Sequence, residues 1–346
     1  MFDAYSGTIE ILIFVNQHLN RMNNYSRRIK MKFKLTLIAL IILSLIALLV
    51  SGCAAPSSGT KAVEANTYNK ILVAATFYPL YDLTKSIVGD KGEVYSIVPA
   101  GVEPHDYEPR PSDLKKLNLA DAFVTLGLEF AELEQDLVDT GNPGVKVISA
   151  SKRISLLQSI QEGVVEKGDK LVTTGLDSHI WLSPKNAQQM VLNIMTELAN
   201  IDSANAEYYL NEGQKLVEGL KSLDQEFTIG LVSCQKNVIL VNHNAFTYLG
   251  RDYGFDIISI QGLEPEVEPT PQQLVRLIEE AEEHDLKYIF YEELVDPRIA
   301  QTIAKEVDAQ VLELNPLEGT ADNSATYISQ MKKNLKNLKI ALGCEG

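Results

Sequence analysis

The chain has 346 residues, 45% of them hydrophobic and 22% charged, enough to build two globular lobes with a core in each. Its formal net charge of -15 excludes non-specific nucleic-acid binding, which needs a basic footprint to displace counterions from phosphates. An acidic surface suits a cation ligand, although net charge chiefly reports solubility.

The first predicted element is an export signal. Arg27, Arg28, Lys30, Lys32 and Lys34 precede an apolar run from Leu35 to Val50, slightly short for a membrane span. The run ends in Ser51-Gly52-Cys53. That ending resembles a bacterial lipobox, which implies that Cys53 is diacylated and becomes the first mature residue. The competing reading is a signal-anchor helix with an incidental cysteine. Residues 1–30 read as an over-extended start, 31–52 as the signal peptide and 53–66 as a tether, because Pro56, Ser57, Ser58, Gly59 and Thr60 favour a flexible chain.

From Lys70 short β-branched runs alternate with amphipathic segments, the pattern of βαβ units around parallel sheets. Strands are predicted at 71–75, 94–98, 122–126 and 145–149, with helices at 78–88, 112–119 and 129–138. A second block has strands at 238–241, 257–260, 288–291 and 311–314, with helices at 244–253, 271–283, 297–307 and 325–342. Between the blocks Ser183-Pro184 opens a helix to 199, and Asp202-Ser203 caps a longer one to about 228. Tyr209, Leu210, Leu216, Leu220 and Leu223 form its apolar stripe. The fold class is therefore α/β: an N-terminal metal-binding lobe (67–201) and a C-terminal one (234–346), each a parallel sheet flanked by helices, joined by one long rigid helix (202–233). A stiff joint of this kind predicts a small closure on ligand binding.

With Cys53 set aside, Cys234 and Cys344 remain, an even pair in a compartment that permits oxidation. They read as a disulfide tying the chain's end to the start of the C-terminal lobe, or as two unlinked thiols.

Three of the histidines sit where sites are built. His105 follows the strand at 94–98, His179 precedes a helix and His243 ends the strand at 238–241. Carboxyl ends of strands in open α/β sheets face the ligand crevice, so at least His105 and His243 should share a cleft. Imidazole suits zinc and other late first-row metals, whereas calcium and magnesium prefer oxygen. A fourth donor should complete a tetrahedron. His284, beside Glu279, Glu280, Glu282 and Glu283, reads as surface.

The segments Gly101-Val102-Glu103-Pro104-His105-Asp106-Tyr107-Glu108-Pro109, Asp177-Ser178-His179-Ile180-Trp181-Leu182-Ser183-Pro184 and Asn242-His243-Asn244-Ala245-Phe246 resemble, in that order, the zinc- and manganese-binding solute-binding lipoproteins of ABC transporters. Phe290-Tyr291-Glu292-Glu293 and Leu314-Asn315-Pro316-Leu317-Glu318-Gly319 agree, and the resemblance runs from about Lys70 to the C-terminus. It implies that His105, His179 and His243 are metal ligands and that Glu318 is the fourth. Manganese-type members place a carboxylate at the third position and an aspartate near Asn315, so this chain resembles the zinc type, with Mn2+ the lesser alternative. The implied function is capture of Zn2+ outside the cytoplasm and delivery to an ABC permease and its ATPase, by a monomer on a lipid anchor at the cell membrane. Tyr107 and Trp181 are expected to wall the cleft. Many zinc-binding relatives carry a His- and acid-rich loop between the first two ligands, whereas 156–176 here contains no histidine, and 162–170 reads as a solvated surface loop. Glu264, Glu266 and Glu268 read either as a cleft shield or as a solvated turn.

Two other classes compete. A zinc hydrolase needs an open coordination position for water, which Glu318 would close, so no enzyme activity is expected. A surface adhesin is the other alternative.

Overall fold

The computed structural model describes residues 70–127, 134, 137–139, 144–160, 173–262, 269–319 and 324–345. The signal peptide, Cys53, the tether, most of the helix predicted at 129–138, the loop 162–170 and Glu264–Glu268 lie outside the described residues. No helix among the described residues is long and apolar enough to cross a membrane.

The N-terminal lobe is a four-stranded parallel sheet in the order β2 (Gly92–Ser96), β1 (Ile71–Ala75), β3 (Ala122–Thr125), β4 (Lys146–Ser149). All four residues of β3, and all but Leu72 of β1, are buried. These two are the central strands, covered on both faces, which is why they read as apolar runs rather than alternating ones. Helix α1 (Tyr78–Val88) starts with a proline in its first turn and buries Leu80, Leu83 and Ile87, a spacing of three and four that keeps one face on the sheet. Gly89 ends it at φ 54°, and a Cβ there would lie 2.2 Å from the Tyr208 hydroxyl. Only glycine meets both conditions. Helix α2 (Pro111–Leu117) follows β2, and a short antiparallel hairpin, β5 (Gln158–Ile160) with β6 (Thr173–Leu176), leads into the segment carrying His179.

Helix α3 (Pro184–Ile201) is capped by Ser183, whose Oγ accepts from Asn186 N. It packs along α4 (Ala206–Gly230), 25 uninterrupted residues or roughly 37 Å at 1.5 Å per residue. The buried face of α4 is Tyr209, Gly213, Val217, Leu220, Leu223 and Phe227. The predicted stripe was rotated at one end, since Leu210 is 42% exposed and Gly213 admits the Met195 side chain against the helix backbone. Asp202 does not cap α4. Its carboxylate accepts from Asn205 Nδ2 and the Tyr209 hydroxyl across a turn of 3-10 helix at Ser203–Asn205.

The C-terminal lobe holds two parallel pairs, β7 (Val238–Val241) with β8 (Asp256–Ser259) and β9 (Tyr288–Tyr291) with β10 (Gln310–Glu313), and β7 runs beside β9. Helices α5 (Thr247–Tyr253), α6 (Pro271–Glu283), α7 (Arg298–Glu306) and α8 (Tyr327–Leu342) flank them. Along β7, Ile239 and Val241 join the large core that runs through the N-terminal lobe and α4. Leu240 points the other way, into a smaller cluster with Leu277, Ile289 and Ile303. A period of two thus distributes one strand between two cores. Cys234 and Cys344 are bridge partners and are disulfide-bonded, 110 residues apart in sequence.

Several predicted limits move. The strand expected at 94–98 lies at Gly92–Ser96, because Ile97 and Val98, though buried, already belong to the loop. Helix α5 begins at Thr247 rather than 244, since Asn244 and Ala245 form the turn that holds His243. Residues 158–160 and 173–176, for which no element was predicted, pair as antiparallel strands.

Candidate metal centre

Each candidate ligand follows the C-terminal end of a strand. His105 lies in the loop between β2 and α2, His179 three residues beyond β6, His243 two beyond β7, and Glu318 in the loop after β10. Two come from each lobe; parallel topology places the loops of His105, His243 and Glu318 at one edge of the sheets, while His179 is delivered by the antiparallel β5–β6 hairpin. His179 and His243 are fully buried, Glu318 is 1% exposed, and the His105 side chain is 15% exposed.

The donor atoms converge. One ligand atom from each of the four residues lies within 4.8 Å of all the others. Glu318 Oε1 stands 3.2 Å from His105 Nε2, 3.2 Å from His179 Nε2 and 3.4 Å from His243 Nε2. A tetrahedral ion with bonds of about 2.0–2.1 Å has ligand–ligand edges of about 3.3–3.4 Å, so these three separations match edges around one small cation. The Nε2 atoms of His179 and His243, together with Glu318 Oε2, are buried without a hydrogen-bond partner. Buried polar atoms are rarely left so, and a cation bound among them would satisfy the two imidazole nitrogens.

Two carboxylates hold the buried imidazoles by their other nitrogen. Asp177 Oδ1 accepts from both the backbone N and Nδ1 of His179, each at 2.9 Å. Glu292 accepts from His243 N at 3.1 Å, and both its oxygens lie 2.8 Å from His243 Nδ1. The network fixes a proton on Nδ1 in each ring and turns Nε2 inward as the nitrogen available to a metal. The sequence reading did not assign these two residues. Asp177 was accessible as an acid two positions before a histidine. Glu292 was not, because it meets His243 only through the adjacency of β7 and β9, 49 residues apart.

Charge is concentrated here. Burial alone would depress His179, but the facing carboxylates of Asp177 and Glu318 outweigh it and raise its pKa. His243 is raised well above its ordinary value, again against burial, by Glu292 and Glu318. Burial would push Glu318 up, yet the facing His243 and His105 hold it well below the carboxylate range. Glu103 is pushed up to about 8, first by burial and then by Glu318. In the absence of metal the centre therefore favours imidazolium facing carboxylate, and a cation must displace those protons.

The Glu318 loop is braced from several directions. Asn334 Oδ1 accepts from Asn315 N and its Nδ2 donates to Asn315 O, while Asn315 Oδ1 accepts from Leu317 N at 2.7 Å. Trp181 Nε1 donates to Pro316 O at 2.7 Å, and the Tyr327 hydroxyl donates to Trp181 O. Leu317 sits at φ 58°, a left-handed conformation that a branched side chain rarely adopts and that surrounding contacts must enforce. Trp181 is fully buried against Phe77 and His179, so it braces the site instead of walling an open cleft. Tyr107 is 8% exposed and donates to Asp113. His284 is part-exposed beyond the C-terminal end of α6, 3.6 Å from Glu280.

Comparison with known proteins agrees with this arrangement. Residues 73–341 match the family model described as zinc-uptake complex component A, periplasmic (ZnuA). The chain is 35% identical over 311 residues to the high-affinity zinc uptake system protein ZnuA of Bacillus subtilis, covering 88% of this chain and 97% of that protein. It is 33% identical to the zinc-binding lipoprotein AdcA of Streptococcus pneumoniae, over 89% of this chain but only 62% of that longer protein. Among solved structures, the laminin-binding protein Lmb of Streptococcus agalactiae, described as bifunctional with adhesin and metal-transporting activity, superposes with a TM-score of 0.71 at 30% identity, covering 79% of this chain and 99% of that one. This chain belongs to the zinc-uptake component A family of solute-binding proteins.

Proposed function

We propose that this protein captures Zn2+ outside the cytoplasm through His105, His179, His243 and Glu318 and passes it to an ABC-type importer. The observation that carries the reading is the meeting of three imidazole Nε2 atoms on one buried carboxylate oxygen at 3.2–3.4 Å, a spacing that fits a tetrahedral zinc. Three nitrogens and one oxygen favour zinc over the oxygen-preferring cations. With Glu318 in the fourth position no place is kept for an activated water, which supports binding over hydrolysis. On this reading 67–201 and 234–346 are the two metal-binding lobes and 202–233 is the linking helix. Residues 31–52 direct export, and Cys53 carries the lipid that keeps the protein beside its permease, in line with the lipoprotein AdcA. Cys234 and Cys344 close the C-terminal lobe as a disulfide. Release requires the permease to separate the lobes or to displace a ligand loop.

Elemental analysis of the soluble chain beginning after Cys53, purified without added metal and then competed with zinc and manganese, tests the proposal. One zinc per chain is expected. Preferential retention of manganese overturns the metal assignment, and no stoichiometric metal overturns the function. The similarity to Lmb favours adhesion as a second reading, which predicts surface attachment that survives loss of the metal ligands.

A further inference from the structure

Beside the four donors lies a narrow pocket lined by Glu103, Glu292, Glu293, Leu294, Asn315 and Glu318. Its acids form a gradient of exposure. Glu318 and Glu292 are buried, Glu103 is half-buried and Glu293 is exposed. Glu318 presents two different oxygens: Oε1 faces the three imidazoles, while Oε2 is buried without a hydrogen-bond partner. The outer acids are held in place. Glu103 Oε1 accepts from His105 N at 3.2 Å, and Glu293 Oε2 accepts from Asn315 Nδ2 at 2.9 Å.

The pocket opens at the seam between the lobes. A Cβ on Gly319, which also borders it, would lie 2.9 Å from Leu294 Cδ1 and 3.2 Å from Val102 O, so the N-terminal loop preceding His105 closes directly on the C-terminal loop bearing Glu318. His105 is the most exposed of the four donors, which places the solvent side of the centre on this same loop. A hydrated divalent ion arriving here must exchange waters for protein oxygens before it reaches nitrogen, and carboxylates in a narrow low-dielectric cleft attract it strongly.

We propose that Glu293 at the rim, with Glu103 behind it, forms a carboxylate mouth through which the divalent cation enters and leaves, with Glu318 Oε2 taking it from the mouth into the four-donor site. The proposal rests on the zinc-binding reading above. Rim charges act on association rate and its salt dependence more than on final contacts, so the test is kinetic.

Stopped-flow uptake of Zn2+ by the soluble mature chain, followed by release to excess chelator, is measured for the unaltered protein, Glu103→Gln, Glu293→Gln and the double variant. Glu279→Gln, an exposed acid on α6, controls for net charge. Glu293→Gln is expected to slow association by about 5- to 10-fold and the double variant at least as much, with the difference shrinking as ionic strength rises, whereas Glu103→Gln, at a carboxyl whose charged form burial already disfavours, is expected to slow it less. Release is expected to slow in the same direction. Association of Glu293→Gln and of the double variant within twofold of the unaltered protein, or a loss equal to that of Glu279→Gln, overturns the mouth. Faster release with unchanged association also overturns it, because Glu103 would then be a fifth ligand. Failure of the unaltered protein to take up stoichiometric zinc defeats the ligand assignment itself, whereas normal uptake with unchanged variant rates defeats only the mouth.

Discussion

The two lobes supply two ligands each but are built differently. The N-terminal lobe is one continuous parallel sheet, with β1 and β3 covered on both faces. The C-terminal lobe is two strand pairs side by side, closed by a disulfide and divided between two cores. Its inner face, including Val241, Phe246, Tyr248 and Leu317, belongs to the same core as the N-terminal sheet, while only its outer face has a core of its own. Polar contacts also cross the seam. The Tyr248 hydroxyl donates to Asp177 O and accepts from Leu157 N, and Ser183 donates to Asp252. Wide separation of the lobes would expose apolar surface at roughly 25 cal/mol per Å². The lesson is that metal exchange is more economically achieved at the ligand loops, where His105 is already part-exposed, than by opening the whole joint.

The strongest way to break that comparison is to remove one buried imidazole from each lobe. His179→Ala and His243→Ala should each weaken zinc retention by more than ~100-fold, since even the residues that orient such ligands are worth ~10- to 100-fold. His105→Ala should cost less. Isothermal titration with a competing chelator measures all three, and an equal loss at His105 would erase the distinction between loop and buried ligands.

Next in size is the covalent difference between the lobes. Replacing both Cys234 and Cys344 by Ser should lower the unfolding free energy by about 2–5 kcal/mol, with zinc stoichiometry retained. Denaturant unfolding of the metal-free protein reads this. A loss confined to metal affinity would mean that the bond shapes the site and not the lobe.

The smallest effects sharpen the parallel between the two braced histidines. Asp177→Asn and Glu292→Gln should each reduce zinc affinity by ~10- to 100-fold while leaving one zinc per chain. Glu292 contacts Nδ1 through both oxygens and Asp177 through one, so Glu292→Gln should be the more damaging. The reverse order, measured by chelator competition, would show that geometry outside these contacts dominates.

Much of this was legible in the sequence. Buried parallel strands announce themselves as short apolar runs, and β1, β7 and β9 fall at the predicted residues. The hairpin β5–β6 did not, because Gln158, Ser159, Thr173 and Thr174 carry no apolar alternation. The histidines were visible through their motifs, and the structure brings all three together with Glu318. Glu292, the Trp181 bond to Pro316 and the left-handed Leu317 were not visible. Each depends on the approach of distant segments, for which local spacing holds no record.

The Cys234–Cys344 bond has a consequence for survival outside the cell. His243 and Glu318 lie on the same covalent ring, and the exposed Arg298, its side chain 81% accessible, lies between them. A protease that cuts the chain at Arg298 severs the path from one ligand to the other, yet both fragments stay attached through sulfur. Under oxidising conditions the damaged lobe keeps its two donors on one molecule; under reducing conditions the same cut would send them apart.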